Sequence, residues 1–264
     1  MKRESVFLFV VSAVSLFLIG ACLYVAYKAL DYRRHVNYFL DKYTNVVSEY
    51  SGRQKYEADN NRLISSESNP MRIVFLGDQI IESWELSQYF GNYEAINRGL
   101  TGQRLSGFIL RLRPDVLELN PRVAVIQFSS YNFRPQGTVK EVKDHIIDIA
   151  ELCRYNNIEP ILTTVIPVRK KQDAYEAEGF ESYAVSDTLR QFNDWLREYC
   201  RLNDYRLIDF DNALCDDSGY LPEELSIDNT HLSKAGFERL AEVTIESLKG
   251  LDWITAYQFQ RGSR

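Results

Sequence analysis

Histidine is scarce in this chain: three residues in 264, His35, His145 and His231. Any chemistry that needs an imidazole must draw on one of them, and a histidine-rich metal cluster is excluded. Cysteine is also sparse. Cys22, Cys153, Cys200 and Cys215 form no Cys-x-x-Cys pair, which argues against a disulfide scaffold or a zinc ribbon. There is no basic excess, with 31 Lys plus Arg against 37 Asp plus Glu and a net charge of −6, so no nucleic-acid partner is expected. Neither a Walker loop nor a dinucleotide fingerprint occurs, and no set of His, Cys and carboxylates has metal-ligand spacing. No cofactor and no metal are therefore expected. Low-complexity tracts and internal repeats are missing too. What is present is 45% hydrophobic and 26% charged residues, enough for a sizeable core and too apolar for wholesale disorder.

Charge is missing altogether from Ser5 to Tyr27, a run of mostly Val, Phe, Leu, Ile and Ala. As a helix it extends about 34 Å, enough to cross a hydrocarbon core of about 30 Å. The expectation is a single-pass N-terminal anchor over residues 1–30, with the membrane as partner and the soluble domain extracytoplasmic. Basic residues nearly balance across the span, so they do not fix its orientation. The run Leu18-Ile19-Gly20-Ala21-Cys22 resembles a bacterial lipobox, which gives a second reading with a lipid on Cys22. The apolar residues that follow, Leu23 to Tyr27, favour the uncleaved anchor.

Residues 31–70 read as a helical stalk and linker. Val36, Phe39, Tyr43, Val46 and Tyr50 repeat three and four apart for about two heptads. A stalk leaning on the globular domain is preferred over a coiled coil that would make a homodimer. Residues 71–250 read as one α/β domain, and 251–264 as a tail. Continuous apolar runs begin at Met71, Tyr93, Val123, Ile161 and Arg206, separated by stretches of helical period. Such alternation predicts a parallel five-stranded sheet in a three-layer α/β/α sandwich, with function at the carboxyl ends of the strands.

Four blocks stand at or near those ends: Gly77-Asp78-Gln79-Ile80, Asn97-Arg98-Gly99-Leu100-Thr101-Gly102, Ser129-Ser130-Tyr131-Asn132, and Asp228-Asn229-Thr230-His231 before the last helix. Each alone is weak. In this order they resemble the SGNH (GDSL) hydrolase family, over roughly residues 71–249. The resemblance implies a flavodoxin-like fold and acyl-transfer chemistry. A serine in the first block attacks an ester, the histidine of the last block takes its proton, and the aspartate three residues earlier orients the ring. Carried over, His231 is the base, Asp228 its partner, and Gly102 an oxyanion donor. Asp78 and Tyr131 are the candidates for substrate contact. The implied ligand is a carbohydrate O-acetyl ester or a lipid acyl ester.

Two positions depart from the family pattern. Gln79 occupies the nucleophile position, and an amide nitrogen is not a useful nucleophile. In the third block, an ungapped count from Pro121 puts Tyr131 where the oxyanion asparagine belongs. A slip of one residue makes it Asn132, preferred because it keeps the chemical group. Three functions follow: a pseudo-esterase that binds a ligand or partner, a hydrolase with a rearranged nucleophile (Ser129 or Ser130, or water activated by His231), and a structural scaffold. The first is preferred, because removing a serine nucleophile costs about 10⁶-fold in turnover. Ser83 is expected to face away from the pocket. His145 and His35 read as structural or surface residues, and the charged segment Val168–Val185 as either a lid or a surface excursion.

Overall fold

The computed structural model describes residues 3–67, 69–133, 138–170, 182–228 and 231–251. They divide into two compact units, Met1–Ser48 and Glu49–Arg264. The first consists of helix α1 (Arg3–Lys55) up to Ser48. Its stretch Phe7–Leu40 is long and apolar enough to cross a membrane.

The second unit is built on a five-stranded sheet. Its strands are β1 (Arg72–Gly77), β2 (Glu94–Gly99), β3 (Val123–Ile126), β4 (Glu159–Thr163) and β5 (Arg206–Ile208). All pairs are parallel, in the order β2-β1-β3-β4-β5. β1 and β3 are buried along their whole length, which is why they read as unbroken apolar runs. Side chains alternate between the two faces, as the pleat requires. Val74, Leu76, Ala124, Ile126 and Leu162 join one core cluster, and Ile73, Phe75, Val123, Val125 and Ile161 the other.

Helices α5 (Leu105–Leu112), α6 (Val139–Tyr155) and α7 (Ser182–Leu202) supply apolar side chains to the first cluster. The stripe expected on α6, Val142, Ile146, Ile149, Ala150 and Cys153, is buried throughout. Short helices α3 (Gln79–Ser83), α4 (Leu86–Tyr89) and α8 (Phe210–Leu214), with α9 (Lys234–Lys249), cover the other face. Ser233 caps α9 by accepting from the Gly236 N–H at 3.3 Å. The chain leaves β1 toward β2 and returns to place β3 on the other side. The carboxyl ends of β1 and β3 therefore open the crevice at which sheets of this order bind ligands.

The domain begins earlier than the sequence pattern indicates. Residues 57–65, expected within the stalk and linker, form α2 (Glu57–Ser65). Its Leu63 lies in the first core cluster and its Asn60 is buried. Asn60 joins a fully buried ion pair, Arg111 to Asp115 at 2.8 Å. Asp115 accepts from the Asn60 amide at 2.7 Å, and the Asn60 carbonyl accepts twice from Arg98, at 3.0 and 2.8 Å. Arg111 also donates to the Gly77 carbonyl at 3.1 Å and to the Gln103 side chain. Burial pulls the Arg111 guanidinium below its ordinary value, and the charge of Asp115 opposes that shift. The expected segment 168–185 lies largely outside the described residues, as does the tail beyond 251.

Because the ion pair is dry, removing one partner strands the other charge. Asp115→Ala is expected to lower stability by about 3–5 kcal/mol. Asn60→Ala should cost about 1–3 kcal/mol, since it strands hydrogen-bonding groups with their charges still paired. Urea denaturation of the full chain in detergent checks both values.

Candidate active site

Gly77 ends β1 where α3 folds back over the sheet. A Cβ there would lie 2.2 Å from the Ile81 side chain, so only glycine permits the approach. Asp78 follows and caps α3, accepting from the Ile80 N–H at 3.2 Å with one oxygen and from the Ser129 N–H at 2.9 Å with the other. It is 2% exposed. Burial raises its carboxyl above the ordinary range, against the pull of those hydrogen bonds. Its carboxylate, expected at the substrate, here ties the end of β1 to the end of β3. Gln79 is the first residue of α3 and is half-buried.

The second block is sutured to α3. Asn97 donates to the carbonyls of Ile81 and Trp84 at 2.5 and 3.2 Å and accepts from the Gly99 N–H at 2.9 Å. Gly99 itself lies so close to α3 that a Cβ would sit 2.0 Å from the Glu82 nitrogen. Gly102 is required for a different reason: its φ is +76°, the left-handed region, with open space around the Cβ position.

In the third block Asn132 is 4% exposed. Its side-chain carbonyl accepts from the Leu105 N–H at 2.9 Å, at the head of α5, and its amide donates to the Ser129 carbonyl at 3.2 Å. Tyr131 is half-buried, with the Arg104 guanidinium 5.2 Å from its ring centre.

The last block forms the expected pair. His231 Nδ1 lies 2.8 Å from Asp228 Oδ2, and the His231 backbone N–H donates to Asp228 Oδ1, also at 2.8 Å. One carboxylate thus fixes both the ring and the backbone that carries it. The loop is closed by a bridge between Ser226 and Leu232 and by the Ile227 N–H donating to the His231 carbonyl at 2.8 Å. Arg169 braces that base, donating to the Ser226 hydroxyl and carbonyl at 2.7 Å each. With Nδ1 directed at the carboxylate, the neutral ring keeps Nε2 as its acceptor.

A cavity of about 690 Å³ brings Gln79, Asp228 and His231 together, with Trp84, Tyr89 and Ser83 on its wall. Ser83 was expected to face away. It stands four residues after Gln79 on α3, and that spacing puts both on one helix face. Gly102, Tyr131, Asn132, Ser129 and Ser130 do not line this cavity. Among the described residues no cluster of His, Cys and carboxylates could hold a metal.

A family model for GDSL-like lipases and acylhydrolases matches residues 77–239. The chain belongs to this family. A GDSL-like lipase from Bacteroides thetaiotaomicron superposes with a TM-score of 0.66 at 23% identity, covering 75% of this chain and 98% of that one. An acetylxylan esterase from Geobacillus stearothermophilus has the same fold, with a TM-score of 0.54 at 15% identity over 70% and 96% of the two chains. The uncharacterized lipoprotein YqeF of Bacillus subtilis is 25% identical over 134 residues, 45% of this chain and 55% of that protein. The present chain thus spans little more than half the length of that relative.

In this GDSL domain Asp228 sets which ring nitrogen of His231 carries the proton. Asp228→Ala is expected to move the neutral ring from the Nδ1–H toward the Nε2–H form. Nitrogen-15 chemical shifts of labelled histidine report the change directly.

Proposed function

We propose that this GDSL domain binds an ester-like ligand without turning it over, on a membrane anchor supplied by α1. The observation that carries this reading is Gln79, which shares a cavity with the formed Asp228–His231 pair. An amide nitrogen has its lone pair delocalised into the carbonyl. No proton transfer to His231 makes it an attacking group comparable to an alkoxide. The pair would then orient a ligand, and the Gly102 N–H, outside the cavity lining, would be what remains of an oxyanion site; the Asn132 amide is turned to the Ser129 carbonyl instead.

The cavity wall carries groups for either ester class, with Ile80, Trp84, Ile227, Leu232 and Phe237 suited to an acyl chain. Ser83, Glu85, Gln88 and Lys234 offer hydroxyl, carboxylate, amide and ammonium groups, and Tyr89 offers a ring. Those polar groups suit the hydroxylated part of a carbohydrate ester, and the fold is shared with an acetylxylan esterase. The similarity to a lipoprotein supports membrane attachment, and with it an extracytoplasmic domain.

A second reading has one specific observation in its favour. Ser83 is the serine on the cavity wall, so a working hydrolase with a displaced nucleophile would use it. Turnover of a chromogenic acetyl ester separates the two. Wild type is expected to stay at the buffer rate. Gln79→Ser should gain about 10²-fold or more, and Gln79→Ser with His231→Ala should lose that gain, because the hydroxyl then has no base. Robust wild-type hydrolysis that Ser83→Ala abolishes would replace the binding reading with the hydrolase.

A further inference from the structure

The turn that carries Gly102 is held from outside the family-matched region. Gly52, near the end of α1, lies against it: a Cβ there would sit 2.6 Å from Gln103 Nε2 and 2.7 Å from Leu100 Cδ2. Lys55, the last residue of α1, pairs with the Glu82 carboxylate and reaches the Gly99 carbonyl at 3.4 Å. The Tyr56 hydroxyl donates to that same carbonyl, and the Arg98 guanidinium stands 4.6 Å from the Tyr56 ring centre. Glu82 then passes the restraint on. Its Oε2 accepts from the Thr101 N–H at 2.6 Å and from the Thr101 hydroxyl at 2.5 Å. Gly102 is the next residue, exposed and with open space around its Cβ position.

We propose that Lys55 and Tyr56 are positioning residues of the candidate site, holding Glu82 and the Gly99 carbonyl and through them the turn that aims the Gly102 N–H. The use of that N–H for a ligand oxygen rests on the functional reading above; the fixing of the turn does not. Glu82 lies on α3 between Gln79 and Ser83, so the clamp also holds one wall of the cavity. Two of its four hydrogen-bonding side chains, those of Lys55 and Tyr56, precede residue 77, where the family match begins. The geometry of the turn is therefore set by a segment that the family region does not contain. Burial alone would raise the Glu82 carboxyl, but the hydrogen bonds from Lys55 and Thr101 outweigh it and hold the group below its ordinary value. The carboxylate form that the clamp needs is thus the form the clamp itself favours.

The test uses the full chain in detergent micelles and amide hydrogen exchange read by mass spectrometry. Lys55→Ala with Tyr56→Phe is expected to speed exchange in a peptide spanning residues 99–104 by about tenfold, while 123–128 keeps its protection. Lys55→Arg with Tyr56 intact should hold exchange at the wild-type rate. If the double variant does not fold, Tyr56→Phe alone should show the same local change, smaller in size. In the Gln79→Ser background, Lys55→Ala should lower kcat about tenfold with KM retained, and Lys55→Arg should restore it. Unchanged exchange in 99–104, or a rise shared equally by 123–128, overturns the proposal. So does retained kcat in an active Gln79→Ser background. An inert Gln79→Ser protein counts against the functional reading, and the exchange result then decides the clamp.

Discussion

The buried contact between Arg111 and Asp115 ties together parts of the domain that are far apart in sequence. Both side chains are fully buried, so each charge has lost its water and depends on its protein partners. Asp115 needs Asn60 as well as Arg111, and Asn60 in turn holds Arg98 at the end of β2. Arg111 reaches the Gly77 carbonyl at the end of β1 and the Gln103 side chain beyond Gly102. Strand ends, the second block and α2 thus meet in one network, and none of them can shift without leaving a buried group unpaired. A core of Leu and Val alone would hold the sheet; it would not fix the loops above it in this way.

The sheet was legible in the sequence because its signal is strong: buried parallel strands are unbroken apolar runs, and the helices between them carry clean stripes. The blocks at the strand ends were legible through their order. α2 was legible as part of a helical stalk leaning on the domain, but its burial in the core was not, because a nine-residue polar helix held by one asparagine and one leucine carries little periodic signal. Ser83 was misplaced because the start of α3 was not fixed. Once the helix begins at Gln79, Ser83 falls on the same face. Asp78 shows a different limit. Its place beside the nucleophile position suggests a ligand contact, yet its two oxygens are spent on the N–H groups of Ile80 and Ser129. A sequence records that a carboxylate is present and not which backbone donors will claim it.

On the proposed reading, position 79 is where such a site would change its chemistry while keeping its fold. Gln79 is the first residue of α3, is only half-buried, and belongs to neither core cluster. Asp78, Gly77 and Asn97 around it are bound into the architecture by hydrogen bonds or by close packing. Substitution at those neighbours would break the hydrogen bonds or the close packing that hold the strand ends. The Asp228–His231 pair is carried on a different loop, whose base Arg169 braces.

The reach of the domain back to Glu49 has a practical side. A soluble fragment cut at the family boundary, or at the Ser- and Asn-rich segment before β1, would discard Asn60 together with Lys55 and Tyr56. It would expose the apolar bed of Leu63 and leave Asp115 and Arg98 short of a shared partner. Such a fragment would be a poor stand-in for the native domain and prone to aggregate through the uncovered surface. Loss of binding or activity in it would then be misread as a property of the site.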